Sequence, residues 1–375
     1  MQFTFAERAY IWLDSFPLEG AFKRKLLRLA GDAATLAKNF ENFKDEFLKA
    51  EKHLQYAEME KTLKDGGKYV KTLLEDLEKR GITPISLVSE RYPSELEFLP
   101  DKPLVLYAKG NISLLENRKI TVVGSRRTSE NAILRTKSVA AELSKYFAVV
   151  TGVADGGDSA AIEGALSTGN VIAVTAGGME KLPQGNLPLL KKVTEKGLLL
   201  SAMPVNSGTM PYSYSYRNKL LAALGEGVLV VSAGEKSGAL ITAKYAEKFS
   251  KKTFAFPYAA GVFSGEGCNS LIKNGGKLTE NAGDILKEFS IAERAAERQT
   301  LTLSNDEEKI FRLLKEFSEL HISDLSEKSG VAIFKLSAIL SALEIKGLVA
   351  KSGGNRYALV DKRKDGYKIT KKRIF

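Results

Sequence analysis

Cysteine, histidine and long apolar runs are all scarce in this 375-residue sequence. The one cysteine, Cys268, excludes an intramolecular disulfide and a cysteine-rich zinc site. The two histidines, His53 and His321, lie in opposite halves of the chain, which argues against paired-histidine metal motifs and most histidine-based catalytic triads. We therefore expect no metal and no cofactor.

Membrane-spanning and secretory features are also missing. No run approaches the roughly 18 apolar residues that a bilayer-spanning helix needs. The first residues, MQFTFAERAYIWLD, lack the basic segment, apolar stretch and small-residue cleavage site of a signal peptide. We expect a soluble, cytoplasmic protein with no membrane partner.

Positive charge is the main compositional excess. The chain has 56 Lys and Arg against 45 Asp and Glu, a formal net charge of +11, which favours a polyanionic partner. Between residues 102 and 287 there are 23 basic and 14 acidic residues, and the tail from Asp361 has 7 and 2. The excess therefore lies in the middle of the chain and in its last residues.

Two regions with different sequence patterns precede residue 288. Residues 1–80 place leucines three and four apart, as in YVKTLLEDLEKRG, which predicts a helical N-terminal domain. Residues 81–287 repeat short apolar runs, glycine turns and helical stretches, the pattern of an α/β fold with a Rossmann-like, doubly wound parallel sheet. The predicted strands are LVLYA at 104–108, ITVV at 120–123, FAVVT at 147–151, VIAVT at 171–175, GLLLS at 197–201, VLVVS at 228–232 and TFAFP at 253–257.

The C-terminal region predicts a small separate domain. After a linker over 288–303, residues 304–360 predict a winged helix, with Asn305 as the capping residue of its first helix. The third helix has an apolar stripe, and GLVAKSGGNRYALV predicts a hairpin. Residues 361–375 form a basic tail that is too polar to pack. The members of the stripe are Ile333, Leu336, Ile339, Leu340 and Leu343.

Glycine-rich segments follow three of the predicted strands. They are Val123-Gly-Ser-Arg-Arg-Thr-Ser, Thr151-Gly-Val-Ala-Asp-Gly-Gly-Asp-Ser and Ala233-Gly-Glu-Lys-Ser-Gly. Ligands of open parallel sheets bind beyond the carboxyl ends of the strands, where glycines admit a phosphate and helix N-termini attract it. One interpretation is an anion site at Gly124, Gly152, Gly156 and Gly238, and the other is a set of tight turns. None of the segments is a Walker A loop or G-x-G-x-x-G.

Cationic and aromatic residues accompany these segments. Arg126 and Arg127 directly follow Gly-Ser, and Arg217-Asn-Lys follows Tyr212-Ser-Tyr-Ser-Tyr. Arginine binds phosphate in a bidentate manner, and tyrosine stacks on unpaired bases. The combination favours a site for unpaired nucleic acid, although any one tyrosine is better explained as part of a packed loop.

These segments resemble those of the DprA/Smf family of bacterial DNA-processing proteins, and they occur in the family's order. The resemblance covers about residues 80–285. The matching segments are Arg91-Tyr-Pro-Ser-Glu-Leu, Asp101 to Gly110, Val122-Val-Gly-Ser-Arg, Thr151 to Ile162, Leu182-Pro-Gln-Gly-Asn, Gly197-Leu-Leu-Leu-Ser, Arg217-Asn-Lys-Leu-Leu, Ser237-Gly-Ala-Leu-Ile-Thr and Gly267-Cys-Asn-Ser-Leu-Ile.

The resemblance implies a non-catalytic homodimer that coats incoming single-stranded DNA in natural transformation and loads the recombinase RecA. Family members also have a winged helix and a helical N-terminal domain of SAM or helix-hairpin-helix type, here degenerate because a Gly-x-Gly hairpin is missing. We expect Arg126→Ala or Arg217→Ala to weaken DNA binding by ~1–3 kcal/mol and to leave the fold intact. The DNA-binding residues carried over are Gly124, Ser125, Arg126, Arg127, Gly152, Gly156, Asn186, Arg217, Asn218, Lys219, Ser237, Gly238 and Asn269.

Two departures from the family pattern leave alternatives open. Asp155 stands where the family usually has Arg, which removes a cation near the expected DNA path, and Cys268 replaces a usual Thr. One alternative is a nucleotide-binding enzyme of phosphoribohydrolase type, although its Pro-Gly-Gly-x-Gly-Thr loop is missing. The other is a nucleotide-sensing winged-helix regulator, although the third helix offers only Lys335 and Lys346 for base recognition. We therefore expect the winged helix to contact protein.

Overall fold

The computed structural model describes residues 2–182, 184–291, 304–345 and 348–359. The chain divides into one compact unit up to residue 292 and a second from residue 293. The predicted basic tail, most of the predicted linker, Lys346 and Pro183 lie outside the described residues. The proposed domain boundaries stay predictions.

Six helices form the N-terminal region: α1 (Phe5–Ser15), α2 (Gly20–Ala30), α3 (Ala33–Lys38), α4 (Lys44–Lys49), α5 (His53–Leu63) and α6 (Lys68–Lys79). Thr4 begins α1 through a capping box, in which its hydroxyl accepts from the Glu7 amide and the Glu7 carboxylate accepts from the Thr4 amide. Trp12 is buried edge-on against Phe40, and its Nε1 donates to Thr62 Oγ1 at 2.9 Å. The predicted helical N-terminal region is confirmed.

A nine-stranded sheet forms the centre of the first unit, in the order β1-β2-β6-β5-β4-β3-β7-β8-β9. The strands are β1 (Thr83–Ser86), β2 (Val105–Gly110), β3 (Lys119–Gly124), β4 (Ala148–Thr151), β5 (Val171–Thr175), β6 (Leu198–Ser201), β7 (Gly227–Ser232), β8 (Lys252–Ala255) and β9 (Lys277–Leu278). Strands β3 to β9 pair in parallel, which confirms the predicted doubly wound sheet.

The first two strands differ from that prediction. LVLYA forms β2, but it runs antiparallel to β1 and β6. The segment between β1 and β2 has no α-helix, and antiparallel strands need no crossover helix to join them. Strands β1 and β9 were not predicted, because β1 (TPIS) contains a proline and two polar residues and β9 has only two residues, so neither forms an apolar run.

Helices cover both faces of the sheet, and alternate strand residues point to opposite faces. Val122 and Val149 join the apolar core that includes the N-terminal helices, whereas Val123 and Val150 join the core on the other face. Burial on both faces explains why the strand sequences are apolar throughout. The helices are α7 (Glu130–Leu143), α8 (Gly157–Ala165), α9 (Leu187–Lys196), α10 (Pro211–Leu224), α11 (Gly238–Lys248), α12 (Glu266–Lys273) and α13 (Ala282–Glu288).

The second unit confirms the predicted winged helix. Its elements are α14 (Asn305–Phe317), β10 (Glu319–His321), α15 (Ile322–Ser329), α16 (Ile333–Ile345), β11 (Val349–Gly353) and β12 (Arg356–Leu359), with an antiparallel sheet in the order β10-β12-β11. Two details correct the prediction. Ser304, not Asn305, caps α14, because the Ser304 hydroxyl accepts from the Glu307 amide. Ile333 is 50% exposed, so it lies outside the buried stripe that contains Leu336 and Leu340.

Candidate functional site

Three glycine-rich loops meet at the carboxyl edge of the sheet. Loop 1 (124–128) follows β3, loop 2 (152–156) follows β4 and loop 3 (233–237) follows β7. Strand β3 lies between β4 and β7, and from β3 the chain continues to β4, β5 and β6 on one side and to β7, β8 and β9 on the other. This is the topological switch point of the sheet, where ligands of doubly wound sheets bind. The three predicted segments are therefore neighbours in space.

Hydrogen bonds from loop 1 hold its two neighbours. The Ser125 amide donates to the Ser232 carbonyl oxygen at 2.8 Å, and the Ser125 and Ser232 hydroxyls are 2.9 Å apart at the start of loop 3. On the other side, the Gly157 amide donates to the Ser125 carbonyl oxygen at 3.1 Å. Ser125 is thus a structural link between the loops as well as a candidate ligand.

Two glycines are required by the close approach of loops 1 and 2. A Cβ on Gly124 would lie 2.8 Å from the Cα of Gly157. Gly156 has φ of +79°, and a Cβ there would lie 2.6 Å from the Arg126 carbonyl oxygen. Backbone approach this close excludes any side chain. Part of the glycine pattern therefore serves turn and packing geometry, as the alternative interpretation held.

Below the loops lies a buried ion pair between Asp158 of α8 and Arg217 of α10. The Asp158 carboxylate is 3.5 Å from the Arg217 guanidinium, and it accepts from the Gly124 and Ala154 amides at 3.3 and 3.4 Å. Burial raises the pKa of Asp158, and the charge of Arg217 opposes this rise. Asp158 therefore ties loop 1, loop 2 and α10 together, and it is a residue that the sequence did not single out.

A cavity of about 150 Å³ opens between these loops and the start of α10. Arg217 lines it, and the Nε atom of Arg217 is buried with no hydrogen-bond partner among the described residues. Arg126 is exposed on loop 1, and its guanidinium carbon lies 5.7 Å from the centre of the Tyr214 ring. The cavity therefore presents two cationic side chains and an aromatic ring. The remaining lining residues are Val153, Ala154, Asp155, Thr175, Ala176, Asn186 and Thr209.

Of the other predicted site residues, Gly152, Asn186 and Arg127 remain near the cavity. A Cβ on Gly152 would overlap the Arg217 guanidinium, so this glycine makes room for the ion pair. Asn186 Nδ2 donates to the Val153 carbonyl oxygen at 2.9 Å, which fixes loop 2. Arg127 is exposed and next to Arg126, but it does not line the cavity.

Five further predicted residues, Gly238 among them, have structural partners away from the cavity. Ser237 caps α11, and Asn218 Nδ2 donates to the Gly238 carbonyl oxygen at 3.2 Å. Asn269 holds both the amide and the carbonyl of Tyr258, at 3.0 and 2.9 Å. Lys219 lies on another face of α10 and forms an ion pair with Asp101, which precedes β2. Three consecutive helical residues, 217–219, necessarily point in different directions, which sequence proximity does not reveal.

Cys268 lies in α12 behind loop 3 and is fully buried. Its Sγ is 3.6 Å from the Val230 carbonyl oxygen, and burial raises the pKa of the thiol to about 12. We expect the folded protein to react with a maleimide or aromatic disulfide roughly a thousandfold more slowly than the unfolded chain, because so little thiolate forms. Labelling followed by mass spectrometry, with and without guanidinium chloride, tests this. Equal labelling rates would show that Cys268 is accessible.

The described ranges also bear on metal binding and on membrane insertion. No cluster of three or more His, Cys, Asp or Glu in those ranges could hold a metal ion. None of the described helices is long and apolar enough to cross a bilayer.

A Rossmann-like sheet with an exposed arginine and a tyrosine at its switch point, in one chain with a winged helix, fits the class of DNA-processing proteins that the sequence motifs indicate. The sequence model of DNA recombination-mediator protein A matches residues 67–290, and that of the DprA winged helix domain matches residues 294–355. The chain belongs to the DNA recombination-mediator protein A family, as the sequence motifs had indicated.

Sequence similarity to individual bacterial proteins supports this family assignment. The DNA processing protein DprA of Streptococcus pneumoniae is 34% identical over 206 residues, which cover 54% of this chain and 73% of that protein. DprA of Bacillus subtilis is 34% identical over 221 residues, covering 56% and 72%, and the Smf protein of Synechocystis is 29% identical over 308 residues, covering 71% and 77%.

Solved structures of two relatives share the fold. The crystal structure of S. pneumoniae DprA has a TM-score of 0.62 at 26% identity and covers 77% of this chain and 99% of its own. The Helicobacter pylori DprA structure, described as showing a single-stranded DNA binding mode, has a TM-score of 0.51 at 27% identity and covers 56% and 95%. Neither the phosphoribohydrolase nor the regulator alternative is favoured by these similarities.

Proposed function

We propose that this protein binds single-stranded DNA at the cavity between the three glycine loops. The observation that carries the proposal is the pairing of an exposed arginine, Arg126, with the Tyr214 ring at the mouth of the cavity. A guanidinium offers a phosphate two parallel hydrogen bonds, and a tyrosine ring accepts a stacked base. The structure of the H. pylori relative, described as showing a single-stranded DNA binding mode, supports the same ligand class.

Within this site the two arginines have different roles. Arg126 is exposed and has no carboxylate partner among the described residues, so its charge is available to a phosphate. Arg217 is 7% exposed and already neutralised by Asp158, so it contributes to the wall of the cavity and offers only its unsatisfied Nε to a ligand. The Gly124 and Ser125 amides already donate to Asp158 and Ser232, so loop 1 contacts the phosphate through Arg126, which Ser125 helps to position. Such contacts position the strand without reading its sequence.

Arg126→Ala is the direct test of the site. We expect it to weaken single-strand binding by ~1–3 kcal/mol, at least about fivefold in Kd, with no change in thermal stability, since the side chain is exposed. Lys145→Ala is the control: it removes one positive charge just before β4, at the opposite end of that strand from loop 2, where its one ion-pair partner among the described residues is the surface residue Glu142. Fluorescence anisotropy with an oligothymidylate measures both. If both variants lost the same amount of DNA affinity, the effect of Arg126→Ala would be explained by net charge alone and not by a specific site.

We further propose that the protein acts as a homodimer and loads RecA onto the bound strand, without enzymatic turnover of DNA. Membership of a recombination-mediator family supports this role. The expected result is faster RecA filament formation on an oligonucleotide covered by single-strand-binding protein, and no acceleration by Arg126→Ala. Sedimentation equilibrium tests the dimer, and oligonucleotide length on a denaturing gel tests for cleavage. Unchanged RecA kinetics with the wild-type protein would refute the loading role.

A further inference from the structure

A second cavity, of about 710 Å³, lies between the N-terminal helices and α10. We call it the N-terminal groove. Its walls are formed by residues 16–24 at the start of α2, residues 101–104 before β2, residues 202–208 after β6 and one face of α10 with Tyr212, Ser215, Tyr216 and Lys219. The groove is nearly five times the volume of the glycine-loop cavity, and the proposed function leaves it unexplained.

Positive charge in the groove is in excess of what its acidic residues neutralise. Each acid that lines it has its own partner: Asp14 pairs with Lys23 at 3.5 Å, Glu19 with Lys52 at 2.8 Å, and Asp101 with Lys219. Arg24 also lines the groove, and across the described ranges no residue forms an ion pair or hydrogen bond with it. Lys102 Nζ donates to the Glu97 carbonyl oxygen at 2.6 Å and has no carboxylate partner in the described part of the chain. Two cations therefore face the groove without a counter-charge.

An exposed aromatic ring stands at the mouth of the same groove. Tyr212, in the first turn of α10, is 67% exposed, and its hydroxyl has no partner in the described part of the chain. Tyr216, one turn further, is held by donation of its hydroxyl to the Asp101 carbonyl oxygen at 2.7 Å. Tyr212 and Arg24 line the same groove, so the groove offers an exposed ring and an unpaired guanidinium, the two groups that suit a base and a phosphate.

The glycine-loop cavity and the N-terminal groove share one wall. Thr209, Tyr214 and Arg217 line the cavity, whereas Gly208, Tyr212 and Tyr216 line the groove. Residues two apart on a helix point to nearly opposite sides, so Tyr214 and Tyr212 face the two compartments across the first turn of α10. A nucleotide chain that leaves the cavity past Tyr214 therefore reaches Tyr212 by crossing a single helical turn.

We propose that the N-terminal groove is a second segment of the single-strand path, in which Tyr212 stacks on a base and Arg24 binds a phosphate. This inference rests on the proposed function, because the strand enters the groove from the glycine-loop cavity. It assigns to the N-terminal helices a role in setting the length of strand that one protein molecule binds.

The experiment compares two oligothymidylates, of about 4 and about 20 nucleotides, which bracket the usual single-strand site sizes. We expect Arg24→Ala and Tyr212→Ala to weaken binding of the longer one by roughly fivefold to tenfold and to leave the shorter one unchanged. Arg28→Ala is the matched control: it lies one turn further along α2, is exposed and does not line the groove. Tyr212→Phe, which keeps the ring, should bind the longer oligonucleotide like the wild type.

Any other result would overturn the proposal, and the pattern of affinities would show whether the groove or the proposed function fails. If Arg126→Ala weakens binding while Arg24→Ala and Tyr212→Ala match the wild type at both lengths, the groove is not on the path and the proposed function stands. Equal losses at both lengths would also overturn it, because they would place the effect in the cavity or in the fold. If the wild-type protein binds neither oligonucleotide, the proposed function itself fails. Tyr212 is exposed, so its replacement keeps the test valid even where Arg24→Ala disturbs α2.

Discussion

Gly156→Ala is expected to destabilise the first unit by about 3–5 kcal/mol and to abolish single-strand binding. The residue has φ of +79° and ψ of −118°, which non-glycine residues adopt only at a cost. A Cβ there would also press on the carbonyl oxygens of Ser125 and Arg126, the loop that we propose holds a phosphate. Relief of this overlap requires loop 1 to move, so stability and binding should fall together. Thermal unfolding and fluorescence anisotropy measure the two effects.

Gly238→Ala is the control for this change. Gly238 is the first residue of α11, and a Cβ there meets no atom within 4 Å. We expect a change in stability within about 0.5 kcal/mol, since alanine also favours the helix. If Gly156→Ala proved as stable as Gly238→Ala, the close contact between loops 1 and 2 would be wrong.

Arg217→Ala is expected to destabilise the protein by about 3–5 kcal/mol, because it leaves the Asp158 carboxylate buried without a counter-charge. The two remaining amide contacts of Asp158, at 3.3 and 3.4 Å, are too long to replace the guanidinium. This differs from the sequence-based expectation that Arg217 can be removed with the fold intact. The structure gives the reason: Arg217 is buried and paired, whereas Arg126 is exposed.

The same variant should show a defined pH dependence. Burial already raises the pKa of Asp158, and loss of Arg217 raises it further, so the folded state holds a proton that the unfolded state releases. Stability of Arg217→Ala then falls as pH rises, and its deficit relative to the wild type is smaller in mildly acidic than in mildly alkaline buffer. Adding Asp158→Asn should recover part of the loss. A deficit that does not vary with pH, with no rescue, would contradict this role for the pair.

The fold was largely predictable from local pattern. Runs such as VIAVT and VLVVS are apolar throughout because both faces of β5 and β7 are covered by helices, and each run is followed by a glycine turn. β1 was missed because TPIS is not an apolar run, and β9 because it has only two residues, whereas the antiparallel direction of β2 depends on the loop before it. The predicted helix cap, Asn305, is one residue away from the observed cap, Ser304. Errors of one or two residues are common when helix boundaries are predicted from sequence.

The site was predictable in position and less so in the role of each residue. Three glycine loops after parallel strands indicate one edge of a sheet, and that is where they meet. The sequence could not separate Arg217, Asn218 and Lys219, because only the helix orientation shows that one is buried against Asp158 while another pairs with Asp101. Asp158 was missed for a different reason: an acidic residue in the first turn of a helix is common, so the Gly-Gly-Asp-Ser segment gave no sign that Asp158 pairs with Arg217. The N-terminal groove depends on packing between distant segments, which no local pattern reports.

The most direct measurement is fluorescence anisotropy of the wild-type protein and of Arg126→Ala with single-stranded and duplex oligonucleotides across a salt series. We predict that the wild type prefers the single strand and that its affinity falls steeply with salt, with a slope of about −0.7 for each phosphate neutralised. Arg126→Ala should bind more weakly, with a slope shallower by about 0.7 because one phosphate contact is lost. Equal affinity for duplex and single strand, or salt-independent binding that Arg126→Ala leaves unchanged, would contradict a single-strand site at the glycine loops.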